Sequence, residues 1–324
     1  MRLSFRLKSL FVLIFLLSCL LATIAFQMKR RREFFHWKET LESEHNEIRL
    51  ENHFDGTQNS SWSLPQVTSI TLHDWTIENE DAWILGISKL GRVDDLTVIR
   101  GEFGMRSLQK FERLSPPDWL ALYNVEPDAL VGLPDSFRSI KCLNFVDPNP
   151  GEVKLDRIGE LQGLTKLSLD EIRFSTECKW LENLHELRCL TAIGSTEVSN
   201  LIPFVRSPGL SELIAFNSDF LDSDAKVVAS LPNLRFASLG RTRMTDEGVQ
   251  HFKGHPHIQF FFCGNTAVTD ESLAVFASMP NLKELHLNGT EVTEEGFKEF
   301  KAHFPDVRVA IDYEDSWEPT GLGF

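Results

Sequence analysis

The chain has 324 residues, of which 42% are hydrophobic and 25% are charged, and its formal net charge is −14 at pH 7. So acidic a chain repels phosphate backbones, which disfavours a nucleic-acid-binding protein. The charge mildly favours a cationic partner, although it can equally serve only to keep the chain soluble. None of the five cysteines forms a CxxC pair, so we expect free thiols and no disulfide framework.

The first 32 residues differ from the rest of the chain in charge. They hold seven basic residues and no acidic one, so residues 33–324 carry −21. Residues 1–9 are a basic segment, and residues 10–26 contain no charge. At about 1.5 Å per residue, a helix over residues 10–26 reaches the lower limit for crossing a bilayer. We expect a single transmembrane signal-anchor helix there, with Phe34, Phe35 and Trp37 at the membrane interface.

Two other interpretations of residues 10–26 remain open. A signal peptide would be cleaved after Ala25, with Thr23 and Ala25 as its small residues. A lipoprotein signal would end at Ser18 and leave Cys19 to be acylated. Four basic residues directly follow the segment, which favours the anchor. Basic residues on the two sides nearly balance, so the side of the membrane on which the rest of the chain lies stays open.

Residues 27–65 are expected to link this anchor to the domain that follows. Residues 33–54 are predicted to form a charged, weakly amphipathic helix that covers the open end of that domain. Residues 55–64 are rich in Gly, Asn and Ser, which predicts a loop.

A 24-residue repeat is clearest in the C-terminal third. The segments Thr245-Asp-Glu-Gly, Thr269-Asp-Glu-Ser and Thr293-Glu-Glu-Gly recur at this period. The pattern LxxLxL, followed upstream, finds eleven unit starts, at residues 67, 93, 117, 140, 164, 187, 210, 234, 258, 282 and 307. A fixed short period predicts a solenoid, because each unit buries its apolar face only against its neighbours. We therefore assign residues 66–312 to a repeat domain.

Each unit is predicted to contain a strand, a turn and a short helix. The LxL positions place alternate side chains on one face of a strand. Thr245, Thr269 and Thr293 suit helix N-caps, and the acids after them suit the positive end of the helix dipole. Before each cap lies a hydroxyl residue, such as Thr242 or Thr266, which we expect to satisfy backbone amides of the turn.

These units resemble the leucine-rich repeat family, specifically its cysteine-containing-like subtype, over residues 66–312. Thr or Ser stands where that family carries Asn or Cys at the ninth position. The resemblance implies an α/β horseshoe with a parallel concave sheet, short outer helices and right-handed crossovers. It also implies a ligand-binding adaptor. The acidic tail, residues 313–324, either shields the last unit or is loose.

The concave face is the candidate binding site. Outward-pointing positions of adjacent strands line up five large apolar side chains: Ile214, Phe216, Phe236, Phe260 and Phe262. Aromatic side chains can bury about 150–250 Å² each, and a monomer rarely leaves such a patch exposed. We predict that the patch, with Glu212, Glu284 and His286 at its rim, binds a protein or peptide. Trp119 and Tyr123 form a weaker second candidate.

Two alternatives would remove this site. The run Phe260-Phe261-Phe262 would mark a local register slip, or another part of the chain would cover the patch. If neither alternative holds and the patch is exposed, the kind of partner that it binds still stays open. It binds a protein or peptide, or another copy of the chain as part of a structural envelope. Binding of a small ligand or a carbohydrate is a poorer option.

The sequence favours a non-enzymatic protein. It contains no GxSxG, no glycine-rich phosphate loop and no HExxH motif. His251, His255 and His257 are close in sequence, but no carboxylate or cysteine completes a metal site. We expect no catalytic residues, no cofactor and no metal.

Overall fold

The structure, a computed structural model, describes residues 2–43, 46–51, 66–146 and 153–311. Within them, the side chains of residues 2–20, 43, 49–51 and 66 are outside the described part. The predicted loop at residues 55–64 and the tail at residues 313–324 also lie outside it.

The first elements close one end of the sheet. Helix α1 (Arg2–Ser43) is followed by strand β1 (Glu47–Glu51), which pairs antiparallel with β2 (Gln66–Trp75). The predicted helix over residues 33–54 is therefore wrong for residues 47–51, which form β1. The sequence of β1, Glu-Ile-Arg-Leu-Glu, alternates with the period of a strand, and it satisfies backbone groups that β2 would otherwise leave unpaired at the edge.

The C-terminal half of α1 packs on the repeat domain. Phe34 and Leu41 are 0% and 1% exposed in its core. Helix α1 contacts helix α2 (Glu80–Leu90) at Gly86. Any side chain at that position would clash, because a Cβ there would lie 2.9 Å from Cε3 of Trp37 in α1. The prediction of Phe34 at a membrane interface is wrong, because the open end of the solenoid buries it. Trp37 is only partly buried against the same core and Phe35 is exposed, so for these two residues the interface stays a prediction.

No helix in the described part of the chain is long and apolar enough to cross a membrane. Most of the predicted anchor, up to residue 20, falls where side chains are not described.

Strands β2 to β12 form one parallel sheet whose order follows the chain. Each strand begins within two residues of a predicted unit start, which confirms the sheet of a repeat solenoid. The further strands are β3 (Val93–Gly101), β4 (Trp119–Tyr123), β5 (Cys142–Val146), β6 (Lys166–Asp170), β7 (Cys189–Thr191), β8 (Glu212–Ile214), β9 (Phe236–Ser238), β10 (Phe260–Phe262), β11 (Glu284–His286) and β12 (Arg308–Ala310).

The outer segments are α-helical near both ends of the sheet and 3₁₀-helical in the middle. The helices are α3 (Met105–Lys110), α4 (Asp222–Val228), α5 (Asp246–Gln250), α6 (Leu273–Ala277) and α7 (Glu294–His303). Between β4 and β8 the outer segments are 3₁₀ turns instead, such as Asp156–Glu160 and Lys179–Asn183.

The repeated acids connect one unit to the next. Thr245 caps α5 as predicted, its hydroxyl accepting from the Glu247 amide at 3.2 Å. In addition, the Asp246 carboxylate accepts from the amide and the hydroxyl of Thr269 in the following unit, at 3.0 and 2.7 Å, and from the hydroxyl of Ser272. Asp222 and Asp270 make the same paired contacts to Thr245 and Thr293. We call these three carboxylates, Asp222, Asp246 and Asp270, the aspartate ladder.

The hydroxyls before the caps act mainly as donors. Thr242 donates to the carbonyl of Leu239 at 2.6 Å, and Thr266 and Thr290 donate to the equivalent carbonyls. The turn amide of Met244 reaches Thr242 at 3.4 Å. The predicted acceptor role is therefore the weaker one at Thr242, whereas it is confirmed at Ser195, the equivalent residue of an earlier unit, whose hydroxyl accepts from the buried Ile172 amide at 3.0 Å.

Candidate functional site

The aromatic patch, defined as Ile214, Phe216, Phe236, Phe260 and Phe262, lies on the face of the sheet opposite the outer helices. Phe260 pairs with Phe236 across β9 and β10, and Phe262 pairs with Ser238. Between them, Phe261 is fully buried in the core. The strand thus keeps its alternation of faces, which excludes the alternative of a register slip. All five patch residues are half-buried.

The patch residues contact one another and their neighbours. The Phe236 ring meets the Phe262 ring edge-on, with centroids 5.0 Å apart, and lies 6.1 Å from the Phe260 ring. The His286 ring stacks on Phe262 at 3.7 Å, and the Arg241 guanidinium lies over the Phe216 ring at 5.5 Å. Such contacts fix ring orientation before any partner arrives, which lowers the entropy cost of binding.

Of the residues predicted to form the rim of the patch, Glu212 lies at the surface and Glu284 does not. Glu212 is exposed beside Phe236. Glu284 is 4% exposed and accepts a hydrogen bond from His286 at 2.8 Å, with Arg308 at 3.7 Å. Glu284 therefore lies beneath the surface and positions His286, because a buried carboxylate must be paired.

Two concavities share this face, so we call it the concave face. The central concavity, of about 490 Å³, extends from Trp119 through Ile214 and Phe216 to Phe262. The second, of about 680 Å³, is lined by Phe236 and Phe260 together with basic side chains. Trp119, the weaker sequence candidate, thus joins the aromatic patch in one continuous surface. Tyr123 lies in the same strand but lines neither concavity.

The end of the central concavity near Trp119 is polar. Asp170 accepts hydrogen bonds from Ser168 at 2.6 Å and Thr191 at 3.0 Å. Asn144 donates to the Tyr123 hydroxyl at 2.8 Å, while its own side-chain oxygen is buried without a partner. Burial raises the pKa of Tyr123, which keeps the phenol neutral. This end presents fixed polar groups next to the apolar patch.

Basic side chains border the second concavity. Arg188 and Arg235 are exposed and each directly precedes a strand, and Lys166 is the first residue of β6. We call these three residues the basic edge. The net charge of the chain favours a cationic partner and gives no sign of this edge. The recurrence of a base just before the strand, about two units apart, was the available signal.

Cys142 and Cys189 on this face are poor nucleophiles, and His255, which lines neither concavity, is already engaged through both ring nitrogens. Burial raises the pKa of Cys189 to about 12, and it also raises the pKa of Cys142. His255 is buried, and its two ring nitrogens contact the Leu231 carbonyl at 3.1 Å and the His257 amide at 3.4 Å. Across the described ranges, no three His, Cys, Asp or Glu side chains converge to hold a metal ion.

Comparison with known proteins finds similarity in fold. No family model matches the chain, and no curated protein matches it. An internalin from Listeria monocytogenes superposes with a TM-score of 0.44 at 14% identity, covering 80% of this chain and 92% of that chain. The Rad7–Elc1 complex of yeast gives 0.43 at 15%, covering 75% and 73%. A leucine-rich repeat protein from Leptospira interrogans gives 0.38 at 14%, covering 69% and 74%. The repeat-solenoid architecture of this chain rests on the repeating strands and caps described above.

Proposed function

We propose that this chain is a membrane-tethered, non-enzymatic leucine-rich-repeat protein whose concave face binds a protein or peptide partner. One observation supports the binding role above the others. The five residues of the aromatic patch lie side by side on an open sheet face and line two adjoining concavities.

Energetic reasoning favours a macromolecular partner over a small one. Specific protein interfaces bury roughly 1,200–2,000 Å² in total, and their binding energy concentrates in a few central aromatic side chains. The concave face supplies such a centre in Phe236, Phe260 and Phe262, with polar groups around it. A drug-sized ligand is usually held in one pocket that buries most of its surface, whereas these two concavities adjoin through shared residues such as Ile214 and Phe236 and form one extended surface.

The same residues argue for binding without catalysis. A cysteine nucleophile attacks as its thiolate, and a pKa of about 12 leaves the Cys189 thiol protonated at neutral pH. The Asp170 carboxylate is occupied by Ser168 and Thr191. We propose no catalytic residue, cofactor or metal.

The tether is proposed from the sequence of residues 10–26 and the basic residues that flank it. Helix α1 continues from the start of that segment to residues that pack on the repeat domain. The buried Phe34 lies eight positions after Phe26, which is about 12 Å of helix at about 1.5 Å per residue. An anchored α1 would therefore hold the first repeat close to the bilayer.

Extraction of membranes at alkaline pH, followed by intact-mass measurement, tests the tether. We expect the full-length chain to stay in the pellet with an unmodified N-terminal segment. Release of the full-length chain into the supernatant would contradict the anchor. Loss of residues 1–25, or a lipid-sized mass increase at Cys19, would identify a cleaved signal or a lipoprotein instead.

Partner capture by proximity labelling, with the intact tethered chain, tests the binding face. Phe236→Glu and Phe260→Glu each place a charge in the patch, and we expect each to reduce labelling of specific partners at least tenfold. Ile77→Glu is the matched control, because Ile77 is apolar and 68% exposed outside the patch. Ile77→Glu should melt as the parent does, because a substitution at an exposed site has little effect on stability, and labelling is compared between variants whose melting temperature matches that of the parent.

Unchanged labelling by both patch variants, in chains of unchanged melting temperature, would contradict the proposed function. Light scattering separates the alternative of self-association. A mass that rises with concentration and falls with Phe236→Glu would show that the partner is a second copy.

A further inference from the structure

The basic edge specifies what kind of partner fits the concave face. Lys166, Arg188 and Arg235 line one concavity together with Phe236 and Phe260. Within the described residues, neither Arg188 nor Arg235 makes an ion pair. Lys166 has an aromatic contact, its ammonium lying 5.3 Å from the centre of the Trp119 ring. Three cations thus flank an apolar surface on a chain whose net charge is −14.

From this geometry we infer that the partner segment is acidic and apolar, and that it lies extended across the strands. The inference rests on the proposed function of the concave face. Carboxylates of the segment pair with the basic edge, while its aromatic or aliphatic side chains pack on Phe236 and Phe260. Charge complementarity of this kind selects partners and speeds their association.

The spacing of the sheet predicts the spacing of the acids. Arg188 precedes β7 and Arg235 precedes β9, so the two bases are about 10 Å apart at about 4.8 Å per strand. An extended segment rises about 3.3 Å per residue, which places matching acids about three residues apart. The surface from Trp119 in β4 to Phe260 in β10 spans about 29 Å by the same measure, or about nine residues.

A single-stranded nucleic acid would also use cations and aromatic rings, but the surface disfavours it. Glu212 lines both concavities and Asp170 lines the central one. A nucleic-acid strand carries a negative phosphate at every nucleotide, so some phosphates would lie next to Glu212 and Asp170 and be repelled by them. The net charge of −14 adds to this repulsion. A peptide can place its acids at the basic edge and apolar side chains elsewhere.

Selection of twelve-residue peptides from a random display library on the full chain tests this inference. Clones that also bind the Phe236→Glu variant are removed, so that binders dependent on the patch remain. We expect these to carry a net negative charge, with acids about three residues apart next to an aromatic or aliphatic residue. Raising the salt from about 0.05 to about 0.5 M should weaken them, because it screens exposed charges.

Charge variants give the sharper readout. The double change Arg188→Gln with Arg235→Gln should weaken the selected peptides by about tenfold. Arg206→Gln, which removes an exposed base outside the basic edge, should not. A chain with Arg188→Glu and Arg235→Glu should select basic peptides instead, a reversal that simple loss of packing would not produce.

The outcomes distinguish the two proposals. Patch-dependent peptides that are neutral or basic would overturn the acidic partner and leave the binding face standing. No patch-dependent peptide at all would count against the proposed function itself. A twelve-nucleotide single strand that binds the patch more tightly than the selected peptides would replace the peptide with nucleic acid.

A segment of this chain is also tested as an occupant of the concave face. Residues 312–324 contain four acids and no base, so a peptide of that sequence is a rival occupant. Displacement of the selected peptides by that peptide at equal affinity would overturn the choice of a separate partner.

Discussion

The aspartate ladder can be separated experimentally from ordinary helix capping by the substitution Asp246→Asn. Asp246 and Glu247 both lie in the first turn of α5, so both favour the helix dipole to a similar extent. Asp246 alone accepts three hydrogen bonds from the next unit, two from Thr269 and one from Ser272. The amide replacement keeps the shape of the side chain but removes its charge and one of its acceptors.

The expected cost follows from the hydrogen bonds. A bond to a charged group contributes about 1.5–3 kcal/mol, but the site is half-buried and such contributions are not additive. We therefore expect Asp246→Asn to lower the free energy of unfolding by about 2 kcal/mol. Glu247→Gln, the matched control, should cost under about 0.5 kcal/mol, because an exposed substitution away from such contacts has little effect. Urea unfolding followed by circular dichroism measures both.

The pH dependence supplies an independent check. Burial alone would raise the pKa of Asp246, but hydrogen bonds from Ser272 and Thr269 outweigh it and hold the pKa below the usual 3.8. A carboxylate with a depressed folded-state pKa stabilises the fold above its unfolded-state pKa and loses that contribution as the pH falls through the folded value. The difference between the parent and Asp246→Asn should therefore persist from pH 7 to pH 5 and shrink below pH 3.8.

Either of two results would refute this reasoning. If Glu247→Gln destabilised the chain as much as Asp246→Asn, the repeated acids would act through the helix dipole alone. If the difference between parent and Asp246→Asn did not shrink in acid, the carboxylate charge would not be the stabilising feature.

Two further outcomes are expected. Phe261→Ala should lower the free energy of unfolding by about 3–5 kcal/mol, because it leaves a cavity in the core. Phe260→Ala, on the half-buried face, should cost clearly less. Equal shifts in melting temperature for the two variants would contradict the assigned register. Iodoacetamide at pH 8 should modify the half-buried Cys142 before the more deeply buried Cys189, because the thiolate is the reactive form and the pKa of Cys189 is about 12. Mass spectrometry of digested samples gives the order of labelling. Faster labelling of Cys189 would contradict the prediction.

The repeat made much of this surface predictable. Every unit start lies within two residues of the first residue of a strand, because the apolar period fixes which residues face the core. Once the register was known, Phe260 and Phe262 had to face away from Phe261, since side chains alternate along a strand. The patch residues therefore lie on the predicted face of the sheet.

Other features depended on contacts between distant residues. The strand β1 pairs with β2 across residues that include a predicted loop, and its short alternation was hidden within a charged stretch. Glu284 was placed at the rim because its position in the strand faces outward, yet His286 and Arg308 enclose it. The acids of the aspartate ladder looked like simple capping residues, because their partners lie a full unit away.

The sequence by itself determined the period, the strands and the side of the sheet on which each patch residue lies, because hydrophobic spacing is a local property of the chain. Only the tertiary structure decided which charges meet on that sheet. The net charge pointed to a cationic partner, but stacking units in register brings Lys166, Arg188 and Arg235 to one edge beside the aromatic patch. Electrostatic recognition depends on the charges within about 10 Å of the contact, and the stacking of the units selects those charges.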